Sequence, residues 1–335
     1  MKYKIGFFTA VVLLIASLAV NIAGLAKTQA NKPDETSGVS RPNEEYVYVA
    51  VFKNDPMIIT QDEVGLKAFA DEYNVKATLT APEKYDAPAV AKILDEVIAG
   101  KPAGIMVCGS DKIYIPYIDK AIDMGIPVIT VDADVPESKR LAFVGSDWYK
   151  IGSKQAEAMV KLIGGKGIVA MLGMVGSDNM QRGFEGFRNV MKNYSDVVVL
   201  NEFDDMTNPK EAARITENLL NQYPDIAGIA AFDSNSAPGI VETLKTKGLI
   251  GKVKVTSVDI APIHLQLLKD GSVQKLVGQK RELFTYYGGK ILYDLNHSAL
   301  KLAKQDREQG ITNIPASVDT GLVELDAGNV DAFSR

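Results

Sequence analysis

Two aspartates, Asp132 and Asp259, end segments of the same build. In AIDMGIPVITVD a helix stops at Gly125 and an apolar strand runs to Asp132; in LKTKGLIGKVKVTSVD a helix stops at Gly248 and the strand runs to Asp259. Ligands of open parallel sheets sit beyond the carboxyl ends of the strands, so one carboxylate from each of two similar lobes can accept hydrogen bonds from a shared ligand. The plainer role for either aspartate alone is to cap the turn that follows. The other polar residues at expected strand ends are Lys53, Asn54, Asp55, Ser110, Asp111, Asp134, Ser146, Asp178, Asn179, Gln181, Arg182, Asp233, Asn235 and Gln279. Carboxylates and amides with one or two cations suit a neutral polyhydroxylated ligand, because each buried hydroxyl needs both a donor and an acceptor. Phe52, Met57, Trp148, Met180 and Phe232 are available as apolar walls, although aromatics beside strands more often belong to the core. The candidate ligand-binding set is Lys53, Asp55, Asp132, Trp148, Asn179, Gln181, Arg182, Asp233, Asp259 and Gln279.

Enzyme signatures are absent from the chain: no GxGxxG, GxxxxGK[ST], GxSxG or CxxC occurs, and the glycines of LIGGKG follow a helix instead of opening one. The two histidines, His264 and His297, lack metal-site spacing and are expected on helix surfaces. Cys108, the single cysteine, reads as an inert buried thiol and rules out an intrachain disulfide. No catalytic residue, metal or cofactor is expected.

The elements that must position these residues alternate regularly. Strands are expected at 46–52, 75–80, 103–108 and 127–131, with helices between them. The first helix is opened by Thr60 and Glu63 at capping-box spacing, and the second is begun by Asp86 and Pro88. The segment 141–147 reads as a connection to a second unit with strands at 167–172, 197–203, 226–232, 252–258 and 275–278. A long helix over Leu283 to Lys304 and a strand near 321–325 follow. Short β-branched runs alternating with helical patterns predict two doubly wound parallel-sheet α/β lobes of Rossmann-like build, joined by a hinge. The expected division is 46–147 with 280–312 for the first lobe and 148–279 with 313–335 for the second. Crossovers are expected near Val144 to Asp147, near Gln279 and after the long helix.

At 335 residues, 46% hydrophobic and with a net charge of −5, the chain is long enough for two cored lobes and too acidic to suggest a nucleic-acid partner. Lys2 and Lys4 precede an uncharged stretch from Ile5 to Ala26, which reads as a transmembrane signal-anchor or a cleavable signal peptide with the body outside the cytoplasm. No cysteine ends that stretch, which excludes a lipoprotein anchor. Residues 27–45 read as a polar linker.

The motifs VFKNDPM, GIPVITVDAD, FVGSDWYKIGSKQA, NMQRGFEGF, YPDIAGIAAFDSNSAPGIVETLK, TSVD and GQKRELFTYYGGKIL, in this order and spacing, resemble those of the type I extracytoplasmic sugar-binding proteins, the class that includes the ribose-binding protein. The resemblance runs from about Tyr46 to at least Tyr293. It implies that Asp132, Asp233, Asp259 and Gln279 contact sugar hydroxyls, Asp233 standing where the family has an asparagine. The chain departs from the pattern at Ala133, where the ribose-binding protein has an arginine, at Cys108, where it has a ligand-binding asparagine, and at Met57-Ile58, where it has an aromatic pair. Gln181 and Arg182 compete for the position of a further arginine. Lys53, Asp132 and Asp178 also match polar positions of the autoinducer-2-binding branch. The resemblance implies closure over one small sugar without chemistry, with either an ATP-binding-cassette (ABC) permease or a sensor histidine kinase as membrane partner. A repressor of the lactose-repressor type would need a basic helix-turn-helix where the apolar segment stands, and a sugar hydrolase would need Asp132 and Asp259 as a catalytic pair.

Overall fold

The structure, a computed structural model, describes residues 43–297 and 313–333. The apolar segment Ile5 to Ala26, most of the expected linker and the expected end of the long helix lie outside the described residues. Among the described residues no helix is long and apolar enough to cross a membrane.

Two six-stranded sheets form. The first contains β1 (Glu45–Val49), β2 (Lys76–Thr80), β3 (Gly104–Val107), β4 (Val128–Val131), β5 (Phe143–Gly145) and β11 (Ser317–Asp319), in the order β11-β5-β4-β3-β1-β2, with every pair parallel. The second contains β6 (Gly167–Gly173), β7 (Val197–Asp204), β8 (Ile226–Ala231), β9 (Lys254–Val258), β10 (Lys275–Gln279) and β12 (Leu322–Leu325), in the order β12-β10-β9-β8-β6-β7; β12 alone runs antiparallel. Parallel sheets need helices on both faces, and the strand sequences satisfy both. On β1, Tyr46 and Tyr48 join a core with Ile129, Val131, Phe284 and Leu292, while Val47 and Val49 join the opposite one with Leu94, Ile98, Ile105 and Val107. In the second sheet Ala170 and Leu172 face one core and Val169 and Met171 the other. Each fully buried aliphatic or aromatic side chain contributes about 1.5–3 kcal/mol, so alternation at period two locks the register.

The helices are α1 (Glu63–Tyr73), α2 (Ala87–Ala99), α3 (Ile115–Asp123), α4 (Trp148–Ile163), α5 (Asp178–Met191), α6 (Pro209–Gln222), α7 (Ser236–Thr246), α8 (Pro262–Lys269) and α9 (Glu282–His297). Their starts follow local capping. Asp86 accepts from the backbone N–H of Ala89 at 3.1 Å, Asp147 from Lys150 at 3.1 Å and Asn208 from Lys210 at 3.0 Å. Thr60 does not cap the first helix. A π-type turn over Ile58–Asp62 precedes α1, and Asp55 takes the capping role, accepting from the N–H of Met57 at 2.7 Å.

Among the described residues the chain crosses between the sheets three times: between β5 and α4, between β10 and α9, and between β11 and β12. Two details differ from the sequence reading. Residues 143–145, read as connection, form a strand paired with β4, and the 313–335 segment is divided, β11 in the first sheet and β12 in the second. Three-residue strands are too short to carry a hydrophobic period, which is why neither β5 nor β11 stands out in the sequence.

Candidate functional site

The carboxyl ends of both sheets face one cleft, partly open to solvent, with a cavity of about 70 Å³. Asp132 follows β4 and Asp259 follows β9, and both adopt the left-handed backbone region, φ 67° and 71°. Non-glycine residues hold that conformation only where the surroundings enforce it, so the sequence repeat is matched by a conformational one. Neither side chain caps a turn.

Asp132 is instead tied to a buried cation. Arg281, in the second crossing, places Nη1 2.7 Å from Asp132 Oδ2, while its Nε and Nη2 grip Asp62 at 2.9 and 2.7 Å. Tyr48 donates its hydroxyl to Asp62 at 2.9 Å, and the Arg281 guanidinium lies over the Phe284 ring at 5.5 Å. Burial opposes the charge of Arg281, but Asp132 and Asp62 outweigh it and hold the guanidinium charged. The Cys108 thiol donates to the same Asp132 oxygen at 3.6 Å, and burial, then Asp132, push its pKa well above the ordinary thiol range. The inert buried thiol expected from sequence is therefore a wall of the cleft.

From the second lobe, Gln279 donates Nε2 to Asp259 at 3.4 Å. Burial raises the Asp259 pKa to about 7; Arg281 offsets part of the rise, and Asp55 and Asp132 add to it. Asp233 accepts from the N–H of Asn235 at 2.7 Å through one oxygen, and burial, reinforced by Asp205, Asp55 and Asp259, lifts its pKa far above the usual carboxylate range. Behind it Asp205, raised to about 6 by burial, accepts from the Ser236 hydroxyl at 2.6 Å. Asp132 Oδ1, Asp233 Oδ2, Gln279 Oε1 and Trp148 Nε1 are buried without a partner. Ser110 Oγ in the same cleft is a fifth; buried polar atoms are nearly always hydrogen-bonded, so these orphans mark places that a ligand can satisfy.

The structure brings most of the sequence-derived candidates together. Asp55, Asp132, Trp148, Asn179, Asp233, Asp259 and Gln279 line the cleft, with Phe52, Met57, Met180 and Phe232 as apolar walls. Three candidates fall elsewhere. Lys53 is half exposed and paired with Glu83 at 2.9 Å. Gln181 and Arg182 lie at the outer mouth, where Arg182 pairs with Glu185 at 2.6 Å and stacks on Tyr149 at 5.3 Å. A helix turns about 100° per residue, so once Asn179 and Met180 face the cleft the next two positions cannot.

Sequence reasoning missed Arg281, which stands two residues past a strand end. It also placed His264 on a surface. His264 is fully buried, its Nε2 lies 2.9 Å from the Ser234 carbonyl, and burial lowers its pKa to about 4. It positions Ser234, whose hydroxyl donates to Asp55 across the cleft at 3.1 Å. Among the described residues no group of histidine, cysteine or acidic side chains is arranged to hold a metal ion.

Residues 46–298 match the family model described as periplasmic binding protein domain. The D-ribose/D-allose-binding protein of Pseudomonas aeruginosa is 26% identical over 63% of this chain and 69% of its own. Among solved structures, the arabinose-binding protein AraP of Geobacillus stearothermophilus superposes with a TM-score of 0.73 at 28% identity, covering 88% of this chain and all of that one. A sugar ABC transporter's sugar-binding protein from Bacillus halodurans superposes at 0.76 with 25% identity, covering 87% and 100%. Two lobes of this topology, a cleft lined at both sets of strand ends and a match over most of the chain establish that the protein belongs to the periplasmic binding protein family, among its type I sugar-binding members.

Proposed function

We infer that the protein binds one small polyhydroxylated ligand, a sugar or the corresponding polyol, between its lobes outside the cytoplasm and delivers it to an ABC-type importer. The observation that carries this reading is the set of unpartnered buried atoms on Asp132, Asp233, Gln279 and Trp148 between apolar walls. Hydroxyls can donate to the three acceptors and accept from the indole N–H, while a ring face packs on Trp148 and Phe232. Relatives named for ribose, allose and arabinose binding support the ligand class. Retention at the membrane through Ile5 to Ala26 belongs to the same reading and is checked by alkaline carbonate extraction.

A thermal-shift screen of pentoses, hexoses, 6-deoxyhexoses and sugar alcohols tests it. A ligand at about 100 times its dissociation constant adds roughly 2.7 kcal/mol of stability, seen as a rise of several degrees. No shift with any of these classes overturns the reading. Cross-linking in cells that captured a sensor kinase in place of a permease would move the delivery step to signalling and leave the binding step intact.

A further inference from the structure

The charges and donors of the cleft do not balance for a neutral ligand. Asp55, Asp132, Asp233 and Asp259 line it, and among the described lining residues Arg281 is the single cation. Arg281 is already committed, with two nitrogens on Asp62 and the third on Asp132. Asp233 and Asp259, only 3% and 5% exposed, therefore have no cation within ion-pair distance among the described residues. Hydrogen-bonding capacity is skewed in the same direction. Asp132 Oδ1, Asp233 Oδ2 and Gln279 Oε1 are buried acceptors without a donor, against two unpartnered buried groups that can donate among the described lining residues, Trp148 Nε1 and the Ser110 hydroxyl. A hydroxyl both donates and accepts, and a ligand of hydroxyls alone leaves its own oxygens short of donors here. An ammonium donates three times, accepts nothing and carries the missing charge. A bare metal ion does not fit, because the carboxylates are spread along the cleft and form no metal-holding group.

We propose that the ligand is an amino sugar or amino polyol, whose ammonium group is received by Asp233 and Asp259 of the second lobe with Asp55 adding charge from the first. This rests on the reading of the cleft as a polyol site and names the class within it. Burial first, and neighbouring acids after it, raise the pKa values of Asp233 and Asp259, and an ammonium beside them offsets the contribution of the acids.

Titration calorimetry on the full-length protein at pH 7 tests the proposal with matched triples: D-glucosamine, D-glucose and N-acetyl-D-glucosamine, and likewise 1-amino-1-deoxy-D-ribitol, ribitol and its N-acetyl derivative. In at least one triple the amine is expected to bind about tenfold or more tighter than both neutral partners, the difference one desolvated charged hydrogen bond makes. D233N, which keeps shape but removes the charge and one acceptor, is expected to weaken amine and neutral sugar alike and to collapse the ratio between them to about threefold or less. Neutral sugars binding as tightly as their amines overturns this proposal and leaves the polyol reading standing. Binding of neither class overturns both. Calcium chloride displacing the amine with comparable affinity overturns it in favour of a metal site.

Discussion

Asp132 and Arg281 carry different burdens although they touch. Asp132 has one oxygen on the guanidinium and one free in the cleft, whereas Arg281 neutralises two buried carboxylates at once. Asp132→Ala is therefore expected to lower ligand affinity roughly 10- to 150-fold, the equivalent of a charge-assisted bond of ~1.5–3 kcal/mol, with a smaller loss of stability because Arg281 keeps Asp62. Arg281→Met leaves Asp62 and Asp132 buried without a cation and is expected to destabilise the fold by roughly 3–5 kcal/mol. Calorimetric titration and denaturant unfolding of both variants check this, and equal stability losses would refute the asymmetry. The sequence shows Asp132, Asp233, Asp259 and Gln279 because each ends a strand with a readable helix or strand signature before it. It hides Arg281, whose partner Asp62 is 219 positions away and becomes visible only when the crossings close the fold.

Strand ends of the second sheet gather acids whose protons respond to pH as a group. Folded Asp259 holds its proton up to about pH 7, against about 3.8 for a free carboxyl, and Asp205 is shifted the same way to about 6. Between about pH 4 and 7 the folded state therefore binds more protons than the unfolded one, and unfolding free energy falls as pH rises. The penalty of burying the Asp259 charge is absent below pH 4 and complete above pH 7, up to about 4 kcal/mol by the usual conversion. Ligand-free protein is thus expected to melt higher at pH 5.5 than at pH 8, with Asp259→Asn flattening the slope. A melting temperature that rises across that window excludes these shifts. The elements that hold these residues are the most legible part of the chain: β6, β8 and β9 announce themselves by apolar runs, and α2 and α6 by their capping residues. Length decides what is missed, since β5 and β11 have three residues each and give no period.

Few ties hold the two lobes together across the cleft. Ser234 donates to Asp55, Lys112 lies 3.9 Å from Asp178, and Met57, from the loop after β1, is buried within a core cluster of the second lobe. The bond to Asp55 has an ionic acceptor and is the strongest polar tie, worth roughly 1.5–3 kcal/mol, so its removal shifts the balance of closed to open forms by roughly 10- to 150-fold. A ligand bridging Asp132 and Asp259 gains contacts only in the closed form and pulls the population toward it. Small-angle scattering is thus expected to show a smaller radius of gyration with saturating ligand than without. Asp55→Ala should enlarge the ligand-free particle and restore the wild-type radius only at higher ligand concentration. Its melting temperature should fall by only a few degrees, the roughly 0.5–2 kcal/mol of the lost cap at Met57, because neither lobe's core depends on the bond to Ser234. Identical scattering curves for both proteins, with and without ligand, would mean that the lobes do not move and that Asp55 acts only as a cap for the turn before α1.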